Sequence, residues 1–395
     1  MRYDTALQKN TIIQEIPMKT RRWFSYQRLE GKTASEREKK NFWRAVKKRN
    51  LYAVLQYVKK YGNDPKSMNI PGEDGSPNPL YYVCRKAHYA SELALYKCIG
   101  SVHDNFQMDL KCASRRIKVF NMALLILSAK SIDVNAVHKT TGESILHERI
   151  KDYGGTWNNW NDPALDKRLL RHEKLDKNII DLEGNSPLLA VISHAYYHLE
   201  SALLLLADPD VDVNVRNIEE ETALHLLSRA LISTEEDDAK KIFVNRVGTR
   251  LLERNDLDCD ARNRFGNTAL IEAARYNNSP LVEAILRVGK HEINAANTCG
   301  NTALLEAARF NNPWMIRALL QSGADVFHVN SENNTALDIA KSYGHLNIAT
   351  IIEYFAKKLQ QHPTLHTNSF FMCKIADTEA QSTTETYNAA SRLEL

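Results

Sequence analysis

Asn263-Arg-Phe-Gly-Asn-Thr-Ala-Leu-Ile-Glu-Ala-Ala-Arg-Tyr-Asn-Asn278 returns almost intact as Asn297-Thr-Cys-Gly-Asn-Thr-Ala-Leu-Leu-Glu-Ala-Ala-Arg-Phe-Asn-Asn312. A looser copy follows as Asn330-Ser-Glu-Asn-Asn-Thr-Ala-Leu-Asp-Ile-Ala-Lys-Ser-Tyr-Gly-His345. Thr268, Thr302 and Thr335 are 34 and 33 residues apart. A period of this length marks stacked supersecondary units, none of which buries its apolar face alone. Gly266 and Gly300 suit a turn that needs positive φ. Thr268 and Thr302 stand where a hydroxyl caps a helix. Ala273-Ala274 and Ala307-Ala308 are small enough for two helices to lie close. Leu270, Leu286, Leu304 and Leu320 read as the stripe that neighbouring units bury, at about 1.5–3 kcal/mol for each side chain.

The middle copy closes with Leu319, Leu320 and Gly323-Ala324-Asp325-Val326. Period, turn residue, helix start and closing leucine pair together resemble the ankyrin repeat, with its Thr-Pro-Leu-His signature and a period of about 33 residues. Weaker units open at Glu221-Thr-Ala-Leu-His225, Gly184-Asn-Ser-Pro187, Gly142-Glu-Ser-Ile-Leu-His147 and Gly75-Ser-Pro-Asn-Pro-Leu80. A partial first unit spans Asn41 to Met68, with helices expected over Phe42–Arg49 and Leu51–Tyr61. The expected fold is therefore an all-α ankyrin solenoid of about eight stacked helix-turn-helix units with short finger hairpins. The helix pairs of the early repeats are enlarged. Leu304 and Leu320 are 16 residues apart, but Leu80 and Leu127 are 47 apart. Insertions are expected near 85–120, 151–167 and 229–245, on one face of the array. The organisation reads as a basic N-terminal extension 1–40, a solenoid 41–356 and a polar flexible tail 357–395.

The 395 residues are 43% hydrophobic and 25% charged, a soluble globular balance that excludes collagen-like or wholly disordered chains. The longest apolar runs, Met122–Leu127 and Ala202–Ala207, are far below the roughly 20 residues of a spanning helix. The N-terminus lacks the apolar core of a secretory signal. Six scattered cysteines read as free thiols in a reducing compartment, so a cytoplasmic location is expected. Residues 1–60 carry a net charge of +11 and the rest −7. The stretch 19–49 mixes bases with aromatics, as in Lys19-Thr-Arg-Arg-Trp-Phe-Ser-Tyr26, and suits nucleic acid or anionic lipid. A solvated helix face and a charged arm explain the same residues.

His147 and His225 stand at the His of the ankyrin signature, with Glu272 and Glu306 read as taking that place in later repeats. All four are structural on this reading. Cys84, His88, Cys98, His103 and Cys112 lack a Cys-x2-Cys knuckle, so no metal and no cofactor is expected. No Walker loop, His-Glu-x-x-His or Gly-x-Ser-x-Gly occurs, and no catalytic residue is assigned. An activity concealed in the degenerate stretch 75–180 is the rival reading. Glu235-Glu-Asp-Asp238 reads as a solvated loop.

The resemblance implies protein–protein interaction by a monomer through the concave face. At matching positions it places Arg229, Arg275 and Arg309 as an arginine ladder beside the aromatics Tyr276, Phe310 and Tyr343, residue types enriched at interfaces. Trp157 and Trp160, in the Gly/Asn-rich Tyr153–Trp160 segment, are either a second hot spot or folded back onto the solenoid. The Ser/Thr/Glu-rich tail resembles the translocation signals of bacterial type IV secretion effectors, which implies delivery into a host cell. The family's asparaginyl hydroxylation pattern, Leu-x5-Asp-x-Asn, makes Asn135, Asn178 and Asn214 candidate modification sites. The competing reading of these residues is local turn chemistry.

Overall fold

The computed structural model describes residues 33–85, 121–150, 163–194, 199–229 and 238–361. Trp157, Trp160, His88, Cys98, His103, Cys112, residues 19–32, Glu235–Asp237 and the tail beyond Gln361 lie outside them. The chain divides into two compact units, Met1–Leu182 and Glu183–Leu395.

The second unit holds five helix pairs. The first helices are Pro187–His194, Ala223–Ser228, Ala269–Arg275, Ala303–Ala307 and Ala336–Ser342. The second helices are Leu199–Leu206, Asp238–Leu252, Ser279–Val288, Pro313–Gln321 and Leu346–Gln361. Each first helix touches the first helices before and after it, and the second helices do the same, so the unit is two helical layers. No strand occurs among the described residues, and this is an all-α solenoid.

The helix starts follow from the sequence. Thr268 is extended (φ −81°, ψ 166°) and its hydroxyl accepts from the Ile271 N–H, satisfying one donor that the first turn leaves free. Thr335 and Asp338 form a reciprocal capping box. Asn278 and Asn312 cap the second helices, each with proline in the first turn, where its missing N–H costs nothing. The Asn278 amide also donates back to the Leu227 and Ser228 carbonyls, 3.1 and 3.2 Å away. One side chain thus starts a helix and joins two repeats.

Leu270, Leu304 and Leu320 are buried, and Ala273, Ala274, Ala307 and Ala308 have no room beside them. Leu286 is only half-buried. Ile285, one residue earlier on the helix, fills the core position assigned to it. Glu272 and Glu306 do not stand at the signature His. That place, three residues after the capping threonine, is taken by Ile271 and Leu305. The glutamates sit one residue further on and are buried.

The first unit has a pair Glu36–Lys47 and Leu51–Tyr61, a single turn Pro65–Met68, helical segments 79–85 and 121–127, and a pair Ile145–Ile150 and Pro163–Leu170. The first helix begins at Glu36, six residues before the expected Phe42, because Ser35 and Glu38 form a capping box. Phe42 stacks on Tyr57 with centroids 4.0 Å apart. Helices also start inside two expected insertions, at Pro163 and Asp238. The last helix runs past residue 356 to Gln361, since Leu359 is still buried. Lys358 lies 4.5 Å from the Tyr354 ring centroid.

Candidate partner-binding surface

The fingers between repeats set the edge of the surface. Glu220, Gly266, Gly300 and Asn333 occupy the same finger position, with φ of 60°, 71°, 76° and 58°. Three residues earlier, Asn217, Asn263, Asn297 and Asn330 each accept two backbone N–H groups across the turn through Oδ1. Adjacent fingers are tied by single backbone bonds: Arg264 N–H to Glu219 O, Thr298 N–H to Phe265 O and Ser331 N–H to Cys299 O, at 3.1–3.2 Å. A Cβ on Gly300 would stand 2.9 Å from the Ser331 nitrogen, so that close stacking requires glycine there.

Beneath the fingers runs a network of amides and carboxylates. The Glu272 carboxylate accepts from the Asn263 and Asn267 amides at 2.9 and 2.7 Å. Glu306 accepts from Asn301 at 2.8 Å. Asn297 donates to Asn267 and Asn330 to Asn301, which links successive repeats. His225 does related work one repeat earlier: Nδ1 pairs with the Thr222 hydroxyl at 2.8 Å and Nε2 with the Asn267 carbonyl at 2.9 Å. Burial holds its pKa below the usual histidine value. Glu272 and Glu306 are thus structural, for a reason the repeat pattern alone did not supply. The signal was the asparagine that opens each finger.

Arg229, Arg275 and Arg309 each lie seven residues after a capping threonine, at the C-terminal ends of three consecutive first helices. All three are exposed. Arg229 pairs with Glu221 at 2.8 Å and Arg309 with Glu306 at 3.3 Å. The arginine side chains are 45% and 44% exposed, and their partners only 8% and 4%. The cations therefore face solvent over carboxylates that do not. Tyr276 and Phe310 are half-buried one residue beyond, and Tyr343 is exposed. The Arg309 guanidinium lies 5.8 Å from the Tyr343 ring centroid, and Tyr343 stacks on His345.

Family comparison agrees with this architecture. A family model described as ankyrin repeats, in three copies, matches residues 239–329 and 270–362. Residues 239–362 carry ankyrin repeats. The crystal structure of EF0377, an ankyrin repeat protein, is similar at 25% identity over 49% of this chain and 92% of that one, with a TM-score of 0.43. No curated protein matches. Ankyrin repeats generally mediate protein–protein interaction and typically serve as non-enzymatic scaffolds.

The remaining candidates fall elsewhere along the chain. Asn135 and Asn214 follow an Asp whose carboxylate accepts their own N–H, at 3.0 and 2.8 Å, and Asn178 does the same at 2.9 Å. The Asn135 amide spans to the next loop, donating to Lys174 O and accepting from Asp176 N–H. In the degenerate first unit, Glu148 is buried and accepts from the Tyr81 hydroxyl at 3.1 Å. Burial beside that carboxylate pushes the Tyr81 pKa well above its usual value. Cys84 and Cys259 are buried cysteines and Cys299 an exposed one. Among the described residues, no group of three or more His, Cys, Asp or Glu gathers as metal ligands, and no helix is long and apolar enough to cross a membrane.

Proposed function

We propose that the array is a scaffold that holds a protein partner on its first-helix face, through Arg229, Arg275, Tyr276, Arg309, Phe310 and Tyr343. The observation that carries this reading is the row of exposed arginines at one stacking position of three consecutive repeats, two of them over buried carboxylates. An exposed guanidinium keeps several N–H donors for a partner, and aromatic and arginine side chains dominate the energetics of interfaces.

The charged first helix bears on the nucleic-acid and lipid alternative. Lys39, Lys47 and Lys60 are engaged by Glu36, Glu73 and Glu38, which favours a solvated, salt-bridged face. The effector reading draws its support from the tail, outside the described residues.

Affinity capture from a eukaryotic lysate with quantitative mass spectrometry tests the proposal. A partner held by the wild-type chain should be lost from Arg275→Ala with Arg309→Ala, and from Tyr276→Ala with Phe310→Ala, while helical circular dichroism is unchanged. Full retention by both double variants would move the site elsewhere, first to Trp157 and Trp160.

A further inference from the structure

The spacing of the arginine row suggests the chemistry of its ligand. Arg229, Arg275 and Arg309 occupy one position in adjacent first helices that pack directly on one another. Packed helices lie about 8–10 Å apart, so the backbone positions that carry the arginines recur at roughly that interval. A polyproline II segment advances about 3.1 Å per residue with three residues per turn. Its every third side chain therefore returns to the same face after about 9 Å. A β-strand cannot match this row, because side chains three apart point to opposite faces.

We propose that this face binds a partner segment in the polyproline II conformation, with a carboxylate at every third residue. This rests on the reading of the array as a protein-binding scaffold. Each carboxylate meets one arginine in a charge-assisted pair, for which the guanidinium fork is shaped. The charge complementarity is local. Glu221 and Glu306 lie below the surface, and Arg275, in the middle of the row, makes no ion pair among the described residues. Beside the row, Tyr276, Phe310 and Tyr343 offer rings to the residues between the carboxylates. Aromatic-lined grooves of this kind suit proline, whose preset backbone loses little freedom on binding. The row ends where the pattern ends: seven residues after Thr335 stands Ser342.

Fluorescence anisotropy with the full chain and labelled synthetic peptides tests this. One peptide repeats Glu-Pro-Ala, so that glutamate recurs at every third position. A second has the same composition with its glutamates in one block, and a third carries lysine for glutamate. The first should bind at least about tenfold tighter than the second, lose affinity with added salt and lose at least about tenfold with Arg275→Ala. The lysine peptide should not bind. Equal binding of the first two, no binding, or indifference to Arg275→Ala overturns the proposal. So does binding that appears only after Glu235→Gln with Glu236→Gln, which would assign the row to the chain's own acidic run. A photo-crosslinker placed at position 276 separates this inference from the broader one. Protein crosslinks without spaced-peptide binding reject the peptide chemistry alone, and no crosslinks reject the scaffold surface as well.

Discussion

Asn214 is bonded to Asp258 across the joint between two repeats. Its Oδ1 accepts the Asp258 N–H at 2.9 Å, and its Nδ2 donates to the Asp256 carbonyl at 2.7 Å. Asn69 with Asp133, Asn135 with Asp176 and Asn294 with Asp325 repeat the acceptor half of this arrangement at 2.7–2.8 Å. Asn214→Ala removes both bonds and should destabilise by about 1–3 kcal/mol. Asn214→Asp keeps the acceptor but faces a carbonyl with no donor, and should lose a similar amount. Chemical denaturation monitored by circular dichroism checks both. With each amide end of Asn135 and Asn214 engaged, peptides holding them should show no one-oxygen mass increase after expression in human cells.

Leu304 is completely buried between stacked first helices. Leu304→Ala should cost about 2–5 kcal/mol through lost transfer energy and the cavity left behind. Because repeats are stabilised by nearest neighbours, faster amide exchange should appear in the Ala269–Arg275 and Ala336–Ser342 helices as well. An unchanged denaturation midpoint would contradict the stacking of this side chain.

The four finger positions with positive φ predict opposite effects. Glu220 holds φ 60°, where a side chain costs about 1–2 kcal/mol. Glu220→Gly should stabilise by up to about 1 kcal/mol, part of the relief being offset by glycine's greater entropy when unfolded. Gly300→Ala should destabilise by more than about 1 kcal/mol, since its Cβ would also press on the next finger. Thermal melts of the two variants, compared directly, test the sign of each.

His225 connects stability to pH. Its folded pKa is lowered by burial from about 6.5, so the neutral ring is the form the fold holds. Its contribution is complete above the unfolded value and is lost progressively as pH falls below about 6.5 toward the lowered folded value. Stability should therefore drop as pH falls below about 6.5. His172 and His291, also lowered chiefly by burial, add in the same direction. His225→Gln should flatten this part of the profile, as measured by urea midpoints across pH.

The repeat period, the N-cap threonines and the paired alanines were legible because they recur, but only the structure shows that the Thr268 hydroxyl caps its helix while the buried Thr302 hydroxyl, expected to do the same, makes no cap bond. Every copy faces the same stacking problem, so residues that solve it appear at fixed intervals. The glutamates stand four residues after Thr268 and Thr302, whereas His147 and His225 stand three after Ser144 and Thr222, so a count from the helix cap already sets them one residue beyond the signature His. Leu286 was assigned to the core because spacing alone does not show which of two neighbouring positions turns inward: on a helix, one residue is a rotation of about 100°.

Sequence by itself determined the repeat architecture and the residue types of the arginine and aromatic rows. These follow from local chemistry repeated at a constant period. Tertiary structure alone decided that Arg229 and Arg309 stand over buried carboxylates while Arg275 carries no such pair among the described residues. It also decided that finger asparagines hand hydrogen bonds from repeat to repeat, and that the last helix continues to Gln361. The reason is that the finger asparagines bond partners 29 and 30 positions away, and that Glu221 and Glu306, though local to their arginines, are buried only when neighbouring repeats stack on them. Only stacking brings such residues together, and no local pattern records the partner.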